Sequence, residues 1–507
     1  MAPTYRRVRR RTAGGEDRLS ALPDDLILLI VGRLDTRTAL STAVLARRWA
    51  RIPRELPALD LRVSDILPPE YDRTVDLRQR NLPRETYLAS QLDSLMASCE
   101  IDTMRSFANG VRGFLEADGG NDRRVKTLRL EFFQTNDGST CCAADRLITA
   151  AVDAWGVEDL EVVVRLGIGG GDHQTSAGYS LPQDCLSRSR LRSLTLGKYC
   201  TLPPPLRSYS TLTKLILRDM PASTRVDVYE TVFKDCTQLQ VLHLISCCCA
   251  HDVLVVDAPS SQIRELVVEE CSFWKIELRD LPMLVRLACC LTNTRWIVFG
   301  SLPFLMDTNF TFSLECDDLA TARLDDSFDR FLLMSPTMTN LAIRFSGLRR
   351  WILPTCSERQ LPYLKRLLVA DLPSNWDILW PCSLMMDAPS LEVLHIHVPP
   401  SESEPAYNWR RVTSSKLPKK LPHRHLKELV VIGFTQRHIW FLKYVVSMCT
   451  SLQRVILLKD GHVRYNGLWD WHMVGKQTCP WSDDEKSVVR RMVKTFGLGP
   501  LVELILG

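Results

Sequence analysis

The chain reads as an α/β protein: a short helical module followed by a solenoid of short parallel strands facing one side. Three observations carry that expectation. A leucine word, L-xx-L-x-L, recurs through most of the chain. A separate stretch, Leu22 to Trp49, has the four-residue spacing of amphipathic helices instead. At 507 residues the chain is too long for one compact core but suits a repeat array.

In the opening stretch Leu22, Leu26, Ile30 and Leu34 fall on one helical stripe. Pro23 suits a first helical turn, and Asp24 and Asp25 complement its positive dipole end. Asp35 or Thr36 is placed to cap a second helix carrying Leu40, Val44, Leu45 and Trp49. About forty residues of short helix enclose too little apolar surface to stand alone. The module is therefore expected to lean on a partner.

Residues 58–122 read as a linker and cap: Leu59 to Val63 alternates like a strand, and Phe107, Val111, Phe114 and Leu115 mark a helix ending near Gly119. The repeat follows. Its first residues are Leu191, Leu212, Leu239, Ile263 and Leu284, spaced by 21, 27, 24 and 21 residues, and it returns at Leu364, Leu391, Leu426 and Leu452. Weaker copies sit at Val125-Leu128-Leu130 and around Leu341-Ile343, and Gly169 to Ser176 reads as a loop insertion. This period and pattern are those of leucine-rich repeats. Two alternating aliphatics turn one face of a short strand inward, and stacking on the next coil buries it. After the last aliphatic comes a turn position, filled by Cys247 and Cys271 in two coils and by Met220, Leu372 and Phe434 in others. The two cysteines read as small buried turn residues, not as redox or metal groups.

The outward positions of each strand define a candidate target-binding face: Lys214, Ile216 and Arg218; His243 and Ile245; Glu265 and Val267; Arg366 and Leu368; His395 and His397. Apolar centres with sparse charge fit a protein or peptide partner, whereas a nucleic-acid groove needs far more Lys and Arg. The apolar members of this face, chiefly in the C-terminal half, have packing under loops as their alternative. After the repeats, Trp469, Trp471 and Trp481 with the helix start Ser482 to Glu485 suggest a cap over the terminal coil, closed by a strand at Leu501 to Ile505.

Net charge is +5 with a pI near 8.4, so neither a general nucleic-acid nor a membrane bias is expected. The local exception is the Arg6 to Arg11 cluster in a tail expected to be disordered, which suits either an import signal or a solvated charge run. The 17 cysteines include no C-x-x-C pair and follow no apolar leader, which points to a reducing cytosol or nucleus. No phosphate loop, G-x-S-x-G elbow or HExxH helix occurs, so catalysis, a cofactor and a metal site are not expected. His395 with His397, and His423 with His425, read as surface pairs lacking further ligands.

Two segments resemble a known family. Leu22-Pro23, Leu26, Ile30, Leu34, Leu40, Leu45 and Trp49 resemble the F-box, in the version common in plant proteins. His425 to Leu457, with Leu426-Lys427-Glu428, Gly433-Phe434 and Phe441 to Tyr444, resembles the FBD-type segment of the same proteins. It departs at Arg437-His438-Ile439-Trp440, where the family usually has an acidic residue before the aromatic. The resemblance divides the chain into a tail (1–16), an F-box module (17–57), a linker and cap (58–122), leucine-rich repeats (123–422) and an FBD-like repeat with a C-terminal cap (423–507). It implies a non-catalytic substrate receptor of a Skp–cullin–F-box ubiquitin ligase. The F-box would hold a Skp-type adaptor and, through it, a cullin; the solenoid would hold a target protein. Two other readings stay open: a small-molecule-dependent sensor of similar architecture, and a repeat scaffold with a vestigial F-box, hinted at by Gly32 and Ala46.

Overall fold

The computed structural model describes residues 22–42, 49, 55–81, 87–117, 123–134, 138–167, 178–182, 190–202, 210–291, 296–313, 328, 330–346, 361–372, 380–400, 422–435, 438–476, 481–499 and 501–507. They fall into two compact units, 1–132 with 137–160, and 133–136 with 161–507.

In the first unit the helix Asp24–Val31 starts at Pro23, whose carbonyl accepts from the backbone of Leu26 and Ile27. Gly32 terminates it, so this glycine, named above as a hint of a vestigial F-box, is the helix's C-cap and not an interior residue. The next helix, Thr36–Ser41, is capped by Asp35, which accepts from the Thr38 N–H at 2.8 Å. Thr36 Oγ1 accepts from the backbone N–H of Asp60 at 2.7 Å, which ties this helix to the strand Ala58–Arg62. That strand runs parallel to Thr127–Gln134 with Leu59 opposite Leu128 and Leu61 opposite Leu130. The helices Glu70–Asn81 and Tyr87–Ala117 are joined by an Arg78–Asp93 pair at 2.7 Å and a buried Tyr71–Glu100 hydrogen bond at 2.6 Å.

The second unit is the solenoid. Its parallel strands pair in an unbroken register: Leu194, Leu215, Leu242, Leu266, Leu287, Thr308, Leu341, Leu367, Leu394, Leu429, Val455 and Leu504 stand opposite one another in succession. The inward leucine row is therefore continuous, as the repeat pattern requires. One coil escaped the sequence pattern. The strand Asp307–Ser313 carries Thr308 and Phe310 where aliphatics stand elsewhere. Thr308 Oγ1 donates to the Asn340 carbonyl at 3.2 Å, and Phe310 joins an aromatic cluster with Phe299, Phe328 and Phe331.

Five of the strands end in the same turn. Asp219, Ser246, Glu270 and Asp371 have φ of 50°, 50°, 51° and 58°, and Gly433 has 75°. The residue after each (Met220, Cys247, Cys271, Leu372, Phe434) drops into the core. Cys271 Sγ donates to the carbonyls of Leu244 and Glu269 at 3.3 and 3.4 Å, and Cys200 Sγ to those of Val162 and Gly197 at 3.5 and 3.3 Å. The thiols satisfy strand-end carbonyls of their own and the preceding coil. Burial pushes the Cys200 thiol up to about 12, so it acts as a neutral donor and not as a nucleophile.

Behind the sheet, the coils return through the helix Val226–Asp235, then through three parallel strands, Cys248–Asp257, Ser272–Asp280 and Trp296–Ser301, then through the helices Trp380–Asp387 and Ile439–Met448.

Two glycines separate strain from crowding. A Cβ on Gly433 would meet the Val398 carbonyl oxygen at 1.9 Å, whereas one on Gly467 (φ 69°) meets nothing within 4 Å. Gly467→Ala is expected to cost about 1–2 kcal/mol from left-handed strain alone. Gly433→Ala should cost clearly more in the same urea titration, because the backbone must also move.

Candidate functional site

The opening helix shows one stripe and hides another. Ile27 and Val31 are buried, while Leu26 (47% exposed), Leu29, Ile30 (38%) and Leu34 (41%) face solvent. Leu22 is half-buried and Pro23 exposed. Leu34 lies beyond the helix end, in the turn before Asp35, so the predicted stripe crosses from helix to turn. Leu40 is half-buried and Trp49 is buried at 7% exposure, so Trp49 faces inward in this chain. Val44, Leu45 and Ala46 lie outside the described residues, as does the Arg6 to Arg11 cluster.

The solenoid's outward face divides in two. In the N-terminal part Lys214 and Arg218 are exposed around a half-buried Ile216. His243 Nε2 meets Glu265 Oε1 at 2.8 Å, and Arg286 reaches the same carboxylate at 3.6 Å. The His243 hydrogen bond, helped by Arg286, holds Glu265 below the usual carboxylate range. Ile245 is half-buried, but Val267 is 1% exposed and offers no surface. It sits in the middle of the sheet, where neighbouring coils crowd it on both sides.

The C-terminal part is covered by the chain itself. The antiparallel strands Gly461–Asn466 and Asp470–Gly475 form a hairpin lying along the outward face. Trp471 is buried against Ala342, Leu368 and Ala370, with Val463, Tyr465 and Met473 beside it. The Arg366 guanidinium stacks 4.4 Å from the Trp471 ring and donates to Asp470 at 2.9 Å. Arg344 stacks 4.4 Å from Tyr465, Arg286 lies 5.9 Å from Trp469, and Asn309 Nδ2 donates to the Leu468 carbonyl at 2.9 Å. Trp481, by contrast, packs on Phe434 at 6.1 Å. Trp469 and Trp471 thus lie on the outward side of the strands instead of capping the last coil.

This corrects four candidate target residues. Arg366 and Leu368 lie beneath the hairpin. His395 and His397 are each 7% exposed and are not surface pairs. The Trp471 indole donates to His395 Nδ1 at 3.0 Å, so that nitrogen is an acceptor and Nε2 carries the proton that goes to Glu428 at 2.9 Å. His397 Nδ1 meets Asp371 at 2.9 Å. His423 is likewise buried, with Nε2 on the Ala388 carbonyl, whereas His425 is exposed. A run of Trp near alternating residues was the available signal for the hairpin, but nothing local says which surface it covers.

Elsewhere, Met283, Val285, Phe304, Met306, Tyr363 and Arg264 line an open groove of about 610 Å³ where the strands begin. Among the described residues no group of three or more His, Cys, Asp or Glu could hold a metal ion, and no helix is long and apolar enough to cross a membrane.

Comparison with known proteins places these features in context. The family model described as At1g61320/AtMIF1, LRR domain, matches residues 120–470, and the F-box domain model matches residues 19–58. The Arabidopsis thaliana F-box protein At1g80960 is 26% identical over 242 residues, 46% of this chain and 40% of that protein. The putative F-box/LRR-repeat protein At1g56400 is 30% identical over 25% of this chain and 27% of its own length. The putative F-box/FBD/LRR-repeat protein At5g22670 is 39% identical over 11% of this chain and 13% of its own length, both from the same plant. The chain thus aligns with less than half the length of each of these relatives.

The His395–Glu428 contact makes an acid test. The His395 hydrogen bond, with Arg454 assisting, holds Glu428 below its ordinary 4.5. A lowered carboxyl stabilises the fold above that ordinary value, and the contribution is lost as pH falls through the lowered one. Glu428→Gln should therefore be less stable than the native chain in urea at neutral pH, with the two curves converging as the pH falls below Glu428's ordinary 4.5 and through its lowered value.

Proposed function

Because the chain belongs to the family of the At1g61320/AtMIF1-type LRR domain and carries an F-box ahead of it, we propose that it is the substrate-recognition subunit of a Skp–cullin–F-box ubiquitin ligase. An F-box domain implies binding to a Skp-type adaptor, and a leucine-rich-repeat domain implies binding to targets in general. The observation that carries the reading is the exposed stripe Leu26, Leu29, Ile30 and Leu34 within the F-box match. Complete burial of an apolar side chain of this size is worth about 1.5–3 kcal/mol, and with these four 38–57% exposed roughly half of that is left in water at each. A partner groove that covers them recovers it.

In this reading the chain performs no chemistry. F-box and leucine-rich-repeat architecture is typical of non-catalytic adaptor proteins, and the ligase's catalytic groups sit on other subunits. The adaptor links the chain to a cullin, and the solenoid raises the effective concentration of a target's lysines near the ubiquitin-transfer machinery. A cytosolic or nuclear location goes with this role, and the free cysteines among the described residues support it.

Co-purification with Skp-type adaptors tests the proposal. The native chain should capture an adaptor, and Leu26→Asp with Ile30→Asp should weaken capture at least tenfold while leaving the circular dichroism spectrum intact. Failure of the native chain to capture any adaptor of its own organism would remove the ligase reading.

A further inference from the structure

The hairpin Gly461–Gly475 covers the C-terminal part of the solenoid's outward face in the manner of a bound ligand. Resting on the reading of the solenoid as the target-binding half, we propose that this hairpin is a built-in occupant of the concave channel, and that the target displaces it with an extended segment of the same chemistry: aromatic side chains two residues apart with a carboxylate between them.

The channel's own residues argue for that chemistry. Arg286 and Arg366 stand on one lateral row of the sheet, joined through the register by Asp307 and Asn340, and Arg344 stands on the opposite row. Each guanidinium lies near an aromatic ring of the hairpin: Arg286 near Trp469, Arg366 over Trp471 and Arg344 over Tyr465. Cations over indole and phenol faces gain most where water is excluded. Asp470, between the two tryptophans, takes a charge-assisted bond from Arg366. Ala342 between the rows and Ala370 beside Arg344 leave room for an indole, and His395 presents an acceptor for its N–H.

Other features mark the hairpin as displaceable. Its two strands pair with each other in a sheet of their own, separate from the solenoid's. An isolated two-stranded hairpin is marginally stable in water, so its order depends on the channel. Apart from the Asn309 contact with the Leu468 carbonyl, it is held by side-chain tips and ring faces. A segment that makes the same ring contacts binds the channel in its place, and the population shifts toward the open form.

The test uses the full chain and a labelled synthetic peptide copying residues 461–476. Tyr465→Ala with Trp471→Ala opens the channel, and fluorescence anisotropy should show the peptide binding at least tenfold tighter than to the native chain. Arg344→Ala and Arg366→Ala added to the opened chain should reverse the gain, and a peptide with Asp470→Lys should bind at least tenfold more weakly. Equal binding to native and opened chains, or to both peptides, would overturn the proposal. If the double variant loses its folded spectrum, Asp470→Lys in the full chain sets a cation beside Arg366 and should produce the same gain. Adaptor capture on the same samples separates the two readings. Peptide failure with adaptor capture intact sinks this inference alone, and loss of adaptor capture with peptide binding intact sinks the ligase reading alone.

Discussion

Each coil of the solenoid exposes an inward pair of apolar side chains that only the next coil can cover. That constraint fixes the register. From Leu194 to Leu504 the inward residues stand opposite one another without a slip, because a one-residue shift would turn every inward side chain outward. It also fixes the strand ends, where a left-handed residue returns the chain and the next side chain plugs the core. Cysteine serves there because a buried neutral thiol is compact and still donates to a strand-end carbonyl.

The same register sets what the outward face can be. Side chains on successive strands line up in rows, so one row alternates in charge, with Glu265, Arg286 and Asp307 neutralising one another and Glu428, Arg454 and Glu503 repeating the pattern. The middle row becomes small or apolar at Ala288, Ala342 and Leu368. A face so nearly self-neutralised offers a floor rather than a charged groove, and the aromatic hairpin suits such a floor. Among the described residues the surface left open lies around Lys214, Ile216, Arg218 and Ile245, so the solenoid's two halves differ in what they can accept.

Much of this was legible in the sequence because it is periodic. The solenoid, the inward and outward assignment, the turn cysteines and a helix cap at Asp35 or Thr36, which the structure assigns to Asp35, follow from local spacing and residue chemistry. The coil at Asp307 did not, since Thr308 and Phe310 break the aliphatic pattern and are accommodated by contacts 32 residues away and by an aromatic cluster. The hairpin's place was also hidden. Its anchors join residues separated by 76, 104 and 159 positions, beyond any periodic signal. His395, His397, Arg366 and Leu368 were thus assigned to an open face that is in fact occupied, while of the stripe that helical spacing predicts Leu26 and Ile30 are exposed on the helix, Leu22 is half-buried and Leu34 lies exposed in the turn that follows.

The central claim is that the C-terminal part of the solenoid's outward face is covered by the chain's own hairpin, held through side chains against Arg344, Arg366 and His395. Hydrogen exchange of the full native chain tests it most directly. Amides of the hairpin strands should exchange more slowly than the same sequence as a free peptide, yet faster than those of the buried strand Glu428–Ile432. Hairpin amides exchanging at the free-peptide rate would contradict the account.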